Sequence, residues 1–327
     1  GHANAFYYAP KLNLNLIGGS NNVGEQTFTL QDYFRFSGGM AGLGGRTGSR
    51  VLMNSDDLGI PMANRTNAAE LKTHLGALNL NYTPSKRWRH TGFLIASASD
   101  NLLGSNSLRT YLNVGDNVQE KLNSGSQIEN KSALGKYALT FTPKEETYLK
   151  YSLFAKLSEI ENSNVLESDF GQNLQNIASL NTRRPYSFQQ KLEWYHAPSD
   201  RHVFSTELNW ESKFSDPLFD LQTNLKPLLG LYPIPNAETY RLFQSQELRT
   251  NTLEVAFNYY YILNPTTHLN WSLGYQRLSQ SLTGSLRQQG SAQVFDDFEN
   301  DNEFGFQDLY LGTTWKTKWK NWVLSPS

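Results

Sequence analysis

Along most of this 327-residue chain, hydrophobic and polar residues alternate one by one. In 204–211 one face carries Phe204, Thr206, Leu208 and Trp210, and the other Ser205, Glu207, Asn209 and Glu211. In 253–263 the odd positions read Leu, Val, Phe, Tyr, Tyr, Leu, while the even ones include Glu254 and Asn258. The return segment sets Leu269, Trp271, Leu273 and Tyr275 against Asn270, Ser272, Gly274 and Gln276. A period of two is the strand signature. It predicts eleven strands, at about 5–17, 70–82, 88–98, 132–142, 147–159, 186–196, 202–213, 250–263, 268–280, 304–315 and from 322. Tight polar turns join them in pairs, around Thr83-Pro84, Thr142-Pro143, Ala197-Pro198, Asn264-Pro265 and 316–321. Pro as second turn residue fits position i+1 of a type I turn, where its missing N–H costs no ladder bond. The prolines are spaced 59, 55 and 67 residues apart, too irregularly for a solenoid or propeller blade.

One apolar and one polar face per strand suits two architectures. A soluble sandwich or barrel turns the apolar face inward, whereas a transmembrane barrel turns it outward around a wet lumen. Three features favour the second. The strands exceed the usual soluble length of about 5–6 residues and reach the ~9–11 needed to cross a bilayer. Turns are short on one side, while the other side carries long excursions at 18–69, 99–131, 161–184, 215–248 and 282–303. Trp88, Trp194, Trp271, Trp315, Trp319 and Trp322 crowd the turns and Trp210 lies near a far strand end, as in the two aromatic girdles of such barrels.

Composition narrows the alternatives. Mean hydropathy is −0.54 and no run of 18 apolar residues exists, so transmembrane helices are excluded. The absence of cysteine removes disulfide scaffolds and thiolate metal sites. A net charge of −1 and a pI near 6.7 argue against nucleic acid as a partner. Asn is abundant, at 31 of 327 residues. The first residues, Gly1-His2-Ala3-Asn4, are no signal peptide. An odd strand count that starts and stops mid-strand is read as an excerpt, since bacterial barrels have even numbers. The expectation is one partial all-β antiparallel transmembrane β-barrel domain over 1–327, with about 11 strands of a probable 22, short periplasmic turns and long external loops.

The run 10–34, PKLNLNLIGGSNNVGEQTFTLQDYF, resembles an early barrel strand and first external loop of TonB-dependent outer-membrane receptors of Bacteroidetes type. It is an apolar-alternating strand followed by Ser20-Asn21-Asn22-Val23, Gln26, Phe28, Thr29 and Asp32. The resemblance covers about 25 residues; elsewhere the likeness is architectural. It implies a 22-strand barrel in the bacterial outer membrane, an N-terminal plug, a periplasmic segment engaging TonB, and uptake of a scarce solute such as a siderophore, cofactor, oligosaccharide or peptide. Within 1–327 there is no plug, no TonB-contacting segment and no closing terminal strand. The expected partners are outer-membrane lipid and glycolipid, a small solute or oligomer, and TonB through a plug outside this chain.

Candidate chemistry is sparse. There is no nucleophile elbow, phosphate-binding glycine motif or His-x-x-x-His pair, so no enzymatic role is expected. His90, His196, His202 and His268 flank turns, as interfacial imidazoles would. Asp296, Asp297, Glu299 and Asp301 are hard oxygen donors that could hold a structural Ca²⁺, with Asp56 and Asp57 as further donors; a solvated acidic loop is the preferred reading. No other cofactor is expected. Phe28, Tyr33, Phe34 and Phe36 sit in the first external loop, suited either to holding a flat or sugar-like solute or to packing the loop over the mouth. Trp194, Trp210 and Trp271 are expected at the lipid interfaces. Arg277 is expected at the outer one, either paired with a glycolipid phosphate or simply snorkelling. The rival functions are a self-contained porin-like barrel, a soluble all-β binding protein that would bury Leu253, Phe257 and Tyr259, and an outer-membrane hydrolase.

Overall fold

The computed structural model describes residues 1–22, 68–112, 118–171, 174–228, 234, 236–289, 298–319 and 322–324. They form a single antiparallel sheet of fourteen strands. In chain order these are β1 His2–Ala9, β2 Leu12–Asn21, β3 Ala68–Ser85, β4 Trp88–Tyr111, β5 Val118–Lys144, β6 Thr147–Asp169, β7 Leu174–Arg183, β8 Tyr186–Ser199, β9 His202–Ser215, β10 Leu218–Thr223, β11 Tyr240–Asn264, β12 Thr267–Gln288, β13 Asn300–Trp319 and β14 Trp322–Leu324.

Two pairs of these strands are single strands interrupted by proline. The lower half of β6 pairs with β8 and its upper half with β7; β11 likewise pairs with β9 below and β10 above. The breaks fall at Arg184-Pro185 and Asp216-Pro217, side by side. Proline has no N–H for the ladder, and here the carbonyls and a side chain do the joining. Ser158 N–H donates to Pro185 O at 3.0 Å, Gln246 N–H to Pro217 O at 3.0 Å, and Arg184 N–H to Asp216 Oδ1 at 2.7 Å. With each pair merged, the sheet is a twelve-strand meander in which every strand neighbours the next in sequence.

The count exceeds the eleven expected because 5–17 is not one strand. Chain reversal at Pro10-Lys11 pairs Ala9 with Leu12 and Phe6 with Asn15. The alternation happens to run through this turn, masking it, although Pro10 carries the same turn signal as the other hairpins. Short turns lie along one rim and are stitched to their neighbours: Thr83 N–H donates to Lys11 O, Thr142 to Arg87 O, Ala197 to Glu146 O, Ile262 to Arg201 O and Lys318 to Thr266 O, at 2.7–2.8 Å. Side chains before the turns close them, as Asn264 Oδ1 does by accepting from Thr266 N–H at 3.0 Å.

The opposite side departs from expectation. The segments 99–131 and 161–184 are mostly strand, not loop, and strand also extends into 215–248 and 282–303. β4 and β5 stay paired up to Tyr111 and Val118, and β6 and β7 up to Asp169 and Leu174. These stretches lose the simple alternation because neither of their faces is uniformly apolar, yet cross-strand pairing holds the ladder without it.

Exposure shows which face is which. Large apolar residues on one face are open: Leu94 and Leu157 at 50%, Leu273 at 47%, Phe257 at 39%. The opposite face is the more enclosed, with Ile95 and Leu134 at 2% and Ser132 at 8%. An apolar face turned outward and no second layer among the described residues is the inverse of a sandwich. Leu253, Phe257 and Tyr259 line the outward face and are not packed in a core. The fold is a partial barrel wall of the transmembrane β type.

Candidate functional site: two faces of a barrel wall

Residues directly paired across an antiparallel ladder share a face, so the register assigns every side chain. On the outward face of the turn-side half, aromatic side chains lie shoulder to shoulder. Trp88 stacks on Phe141 with centroids 4.2 Å apart, Phe204 on Tyr259 at 4.9 Å and Tyr259 on Trp271 at 5.4 Å. Trp194 stacks on His196 at 5.9 Å. Three of the turn-flanking imidazoles have hydroxyl partners through Nδ1: His90 with Tyr137 at 2.8 Å, His196 with Thr147 at 2.8 Å and His202 with Tyr259 at 2.7 Å. His268 is on the other face, paired with Ile262.

Above this girdle the outward face of each strand has an uncharged stretch. It runs from Trp88 to Ala98 on β4, Phe141 to Ala133 on β5, Thr147 to Leu157 on β6 and Leu269 to Tyr275 on β12; the next outward residues are Asp100, Lys131, Glu159 and Arg277. Six to ten residues at ~3.3 Å each, tilted by about 40°, give an apolar band of roughly 15–25 Å. A second aromatic group marks its upper limit. Trp210 is paired with Leu253, and Tyr186 stacks on Phe214 at 5.1 Å. The Arg249 guanidinium lies 5.3 Å from the Phe214 ring. Trp194, Trp210, Trp271 and Arg277 thus share the outward face, with Trp194 and Trp271 near the turns and Trp210 and Arg277 at the far edge of the band.

The inward face of the same band is mixed: Ala77, Phe93, Ile95 and Leu134 form a buried apolar patch on it, and its polar residues are of two kinds. Across β2–β4 they are mostly uncharged: Asn13 is paired with Asn81, Asn15 with Asn79, and Ser97 with Ser132 of β5, whose hydroxyls are 2.8 Å apart. The abundant asparagine has its place here. Oδ1 of Asn15, Asn81, Asn101, Asn181 and Asn270 is buried with no hydrogen-bond partner among the described residues, and all five lie on this face. Across β6–β11 the inward face is ionic. Lys191 Nζ lies 3.0 Å from Glu193 and 3.3 Å from Glu207, with Lys150 3.5 Å from Glu193. Asn209 continues the network, accepting from Gln189 Nε2 at 3.2 Å and donating to Glu254 at 3.5 Å. The alternation of Lys191 and Glu193 with Leu192 and Trp194 exposes their common face in the sequence, but not that Glu207 and Lys150 join them.

Beyond the band the polarity of the faces reverses. On β12 the outward positions become Ser279, Ser281, Thr283 and Ser285, and the inward ones Leu278, Leu282 and Leu286. Ile234, Tyr240 and Leu242, at 2–5% exposure, form a small core with Leu221, Leu228, Leu286 and Phe298. This core brings Leu228 and Ile234, from the connection between β10 and β11, onto the inward face. Ala237 N–H donates to the Tyr240 hydroxyl at 3.0 Å and Lys226 Nζ to Asn236 Oδ1 at 2.9 Å. At the tall hairpins, Glu120 is buried on the inward face, accepting from Ser168 Oγ and the Tyr111 hydroxyl at 2.6 Å each. These bonds, Ser168's first, hold its carboxyl below the ordinary range, with Arg109 3.8 Å away assisting. Neither cluster was visible in the sequence, since each joins residues far apart in the chain.

Phe28, Tyr33, Phe34, Phe36, Asp56, Asp57, Asp296 and Asp297 lie outside the described residues. Glu299 adjoins the Phe298 of the small core, and Asp301 opens β13, paired with Thr283 on the outward face. Among the described residues no three His, Asp or Glu side chains converge to hold a metal ion.

No family model matches the chain, and no curated protein matches it by sequence. Among solved structures it is similar to the CymD monoaromatic hydrocarbon channel, with 9% identity, 88% of this chain and 80% of that one covered, and a TM-score of 0.26. The Pseudomonas putida toluene transporter TodX gives 11% identity over 88% of this chain and 80% of that one, with a TM-score of 0.29. BauA, the ferric preacinetobactin receptor of Acinetobacter baumannii, gives 8% identity over 99% of this chain and 59% of that one, with a TM-score of 0.36. No functional assignment follows from similarity of this degree.

Proposed function

We propose that this chain is barrel wall of a TonB-dependent outer-membrane receptor that takes up a scarce solute. The observation that carries the membrane part of this reading is the uncharged, exposed apolar band on the outward face, bounded by aromatic residues at both edges. In this reading Trp194 and Trp271 sit at the periplasmic interface and Trp210 and Arg277 at the outer one, where Arg277 meets glycolipid phosphate. Phe28, Tyr33, Phe34 and Phe36 meet solute at the external mouth. The TonB part rests on the resemblance of 10–34.

Two measurements test it in order. Fractionation of a Gram-negative host producing the full-length protein should place it in the outer membrane, and recovery in the soluble fraction would end the membrane reading. Accumulation of the transported solute should then stop in a TonB-deficient host. Equal accumulation with and without TonB would instead leave a passive porin-like barrel.

A further inference from the structure

Two turns on the stitched rim share a sequence, Pro84-Ser85-Lys86-Arg87 and Pro198-Ser199-Asp200-Arg201. They close alike: Arg87 N–H donates to Ser85 Oγ at 3.3 Å and Arg201 N–H to Ser199 Oγ at 3.4 Å. Each is followed on the outward face by a histidine, His90 or His202, and these are the two imidazoles that pair with a tyrosine. The turn at Pro143 has neither the serine nor the arginine and is followed by Thr147. The turn at Pro265 lacks both as well, and its histidine, His268, faces inward.

The register fixes how the two rings are held. His90 is paired with Leu139, and Tyr137 stands one outward position farther from the turn; His202 is paired with Tyr261, and Tyr259 stands one position farther. Both hydroxyls therefore reach Nδ1 from the band side. The two nitrogens of an imidazole point in widely divergent directions, so Nε2 is turned toward the rim. It has no hydrogen-bond partner among the described residues and is not one of the wall's enclosed polar atoms. A hydroxyl donating to Nδ1 holds the neutral ring as the Nε2–H tautomer, a donor. His196 differs, since its hydroxyl partner Thr147 lies directly opposite and sets no such direction.

An N–H donor beside an arginine, at the edge of an apolar band, complements a group that is anionic, rich in acceptor oxygens and carried on an apolar body. The stacked rings of Trp88 with Phe141 and of Phe204 with Tyr259 supply the apolar flank. A phosphodiester at the head of a diacyl lipid has all three properties. Lys86 adds a positive charge to the first turn, while Asp200 offsets the arginine of the second. On the turn adjoining the first, Lys144 offsets one of the two carboxylates Glu145 and Glu146. The first seat is therefore the stronger.

We propose that each Pro-Ser-x-Arg turn and its tyrosine-held imidazole form a seat for the phosphate of a phospholipid in the turn-side leaflet, with the arginine and Nε2–H as donors. This rests on the membrane reading and is independent of TonB. The test uses the full-length protein, labelled with nitrogen-15 histidine, in vesicles of phosphatidylethanolamine and phosphatidylglycerol. Solid-state NMR should show dephasing by phosphorus at Nε2 of His90 and His202, stronger at His90, and none at the inward His268. Arg87→Gln should cut the effect at His90 by about half and leave His202 unchanged. Arg201→Gln should do the reverse, so the untouched seat in each variant reports that it has folded. No dephasing at either ring, or equal dephasing at His268, would overturn the proposal. So would dephasing indifferent to both arginines, as from rings merely lying at headgroup depth. Failure of the protein to insert into the vesicles would reject the membrane reading and the seats with it; insertion without dephasing would reject the seats alone.

Discussion

The two halves of β12 make an instructive pair. Between Thr267 and Arg277 the outward face holds Leu269, Trp271, Leu273 and Tyr275; between Leu278 and Gln288 the same face holds Ser279, Ser281, Thr283 and Ser285, and the leucines have moved inward. The strand and its pairing are continuous across the change. What differs is the medium each face meets. In the band the outward face meets hydrocarbon and the inward face water. Above it the outward face meets water, while the inward face of the neighbouring strands packs against Leu228 and Ile234. Alternation therefore reports that a segment is a strand with unlike faces, and only the accompanying charge boundary reports where the solvent changes.

The sharpest way to break this comparison is to place a charge on the same face in both halves. Leu273→Arg, at the centre of the band, should cost about 2–4 kcal/mol in denaturant unfolding from lipid vesicles. Thr283→Arg, on the same face of the same strand, should cost about 0.5 kcal/mol or less, as an ordinary surface change. Equal costs would erase the distinction between the halves.

A smaller effect is expected from the upper core. Leu242→Ala removes a side chain 5% exposed from a cluster of few residues, and a loss of about 2 kcal/mol, at the low end for such truncations, should stay local. Hydrogen exchange should accelerate across 224–239 while the paired amides of 250–262 keep their protection. Global loss of protection would show that the two halves do not behave as separate units.

The hairpin tips should respond to acid. Glu120's carboxyl is held low by its hydrogen bonds to Ser168 and Tyr111, so its stabilisation is present above the unfolded glutamate pKa of roughly 4.3 and is lost as pH falls through the lower folded value. Amide exchange, corrected for its intrinsic pH dependence, should accelerate at 108–112 and 118–122 below that range, and Glu120→Gln should remove the pH dependence. Smallest of all, His90→Phe deletes one interfacial hydrogen bond to Tyr137 and should cost at most about 1 kcal/mol.

The band was legible in the sequence because lipid on one side and water on the other enforce strict alternation; the rows through Leu253, Phe257 and Leu273 needed no coordinates. Beyond the band, Leu102-Leu103-Gly104-Ser105-Asn106-Ser107 reads as loop, since no single face is apolar, yet it is strand because Leu103, Gly104 and Ser105 pair with Ser126, Gly125 and Ser124. That pairing is long-range information. The same holds for the site: individual lumen residues such as Glu254 and Asn209 were assignable to a face, but the joining of Glu207 and Lys150 to Lys191 and Glu193, or of Glu120 to Ser168, depends on register. Pro10 shows the reverse failure, a turn signal present in the sequence and overridden by an alternation that continued through it.

The central claim is that one face changes medium partway up a strand. The chain has no cysteine, so single cysteines can be introduced at Leu273, Gly305 and Thr283, spin-labelled, and compared for collision with oxygen, which partitions into lipid, and with a water-soluble nickel chelate. On one outward face, Leu273 should favour oxygen, and Gly305 and Thr283 the chelate. Accessibility to neither reagent at Leu273, or preference for oxygen at all three, would contradict the account.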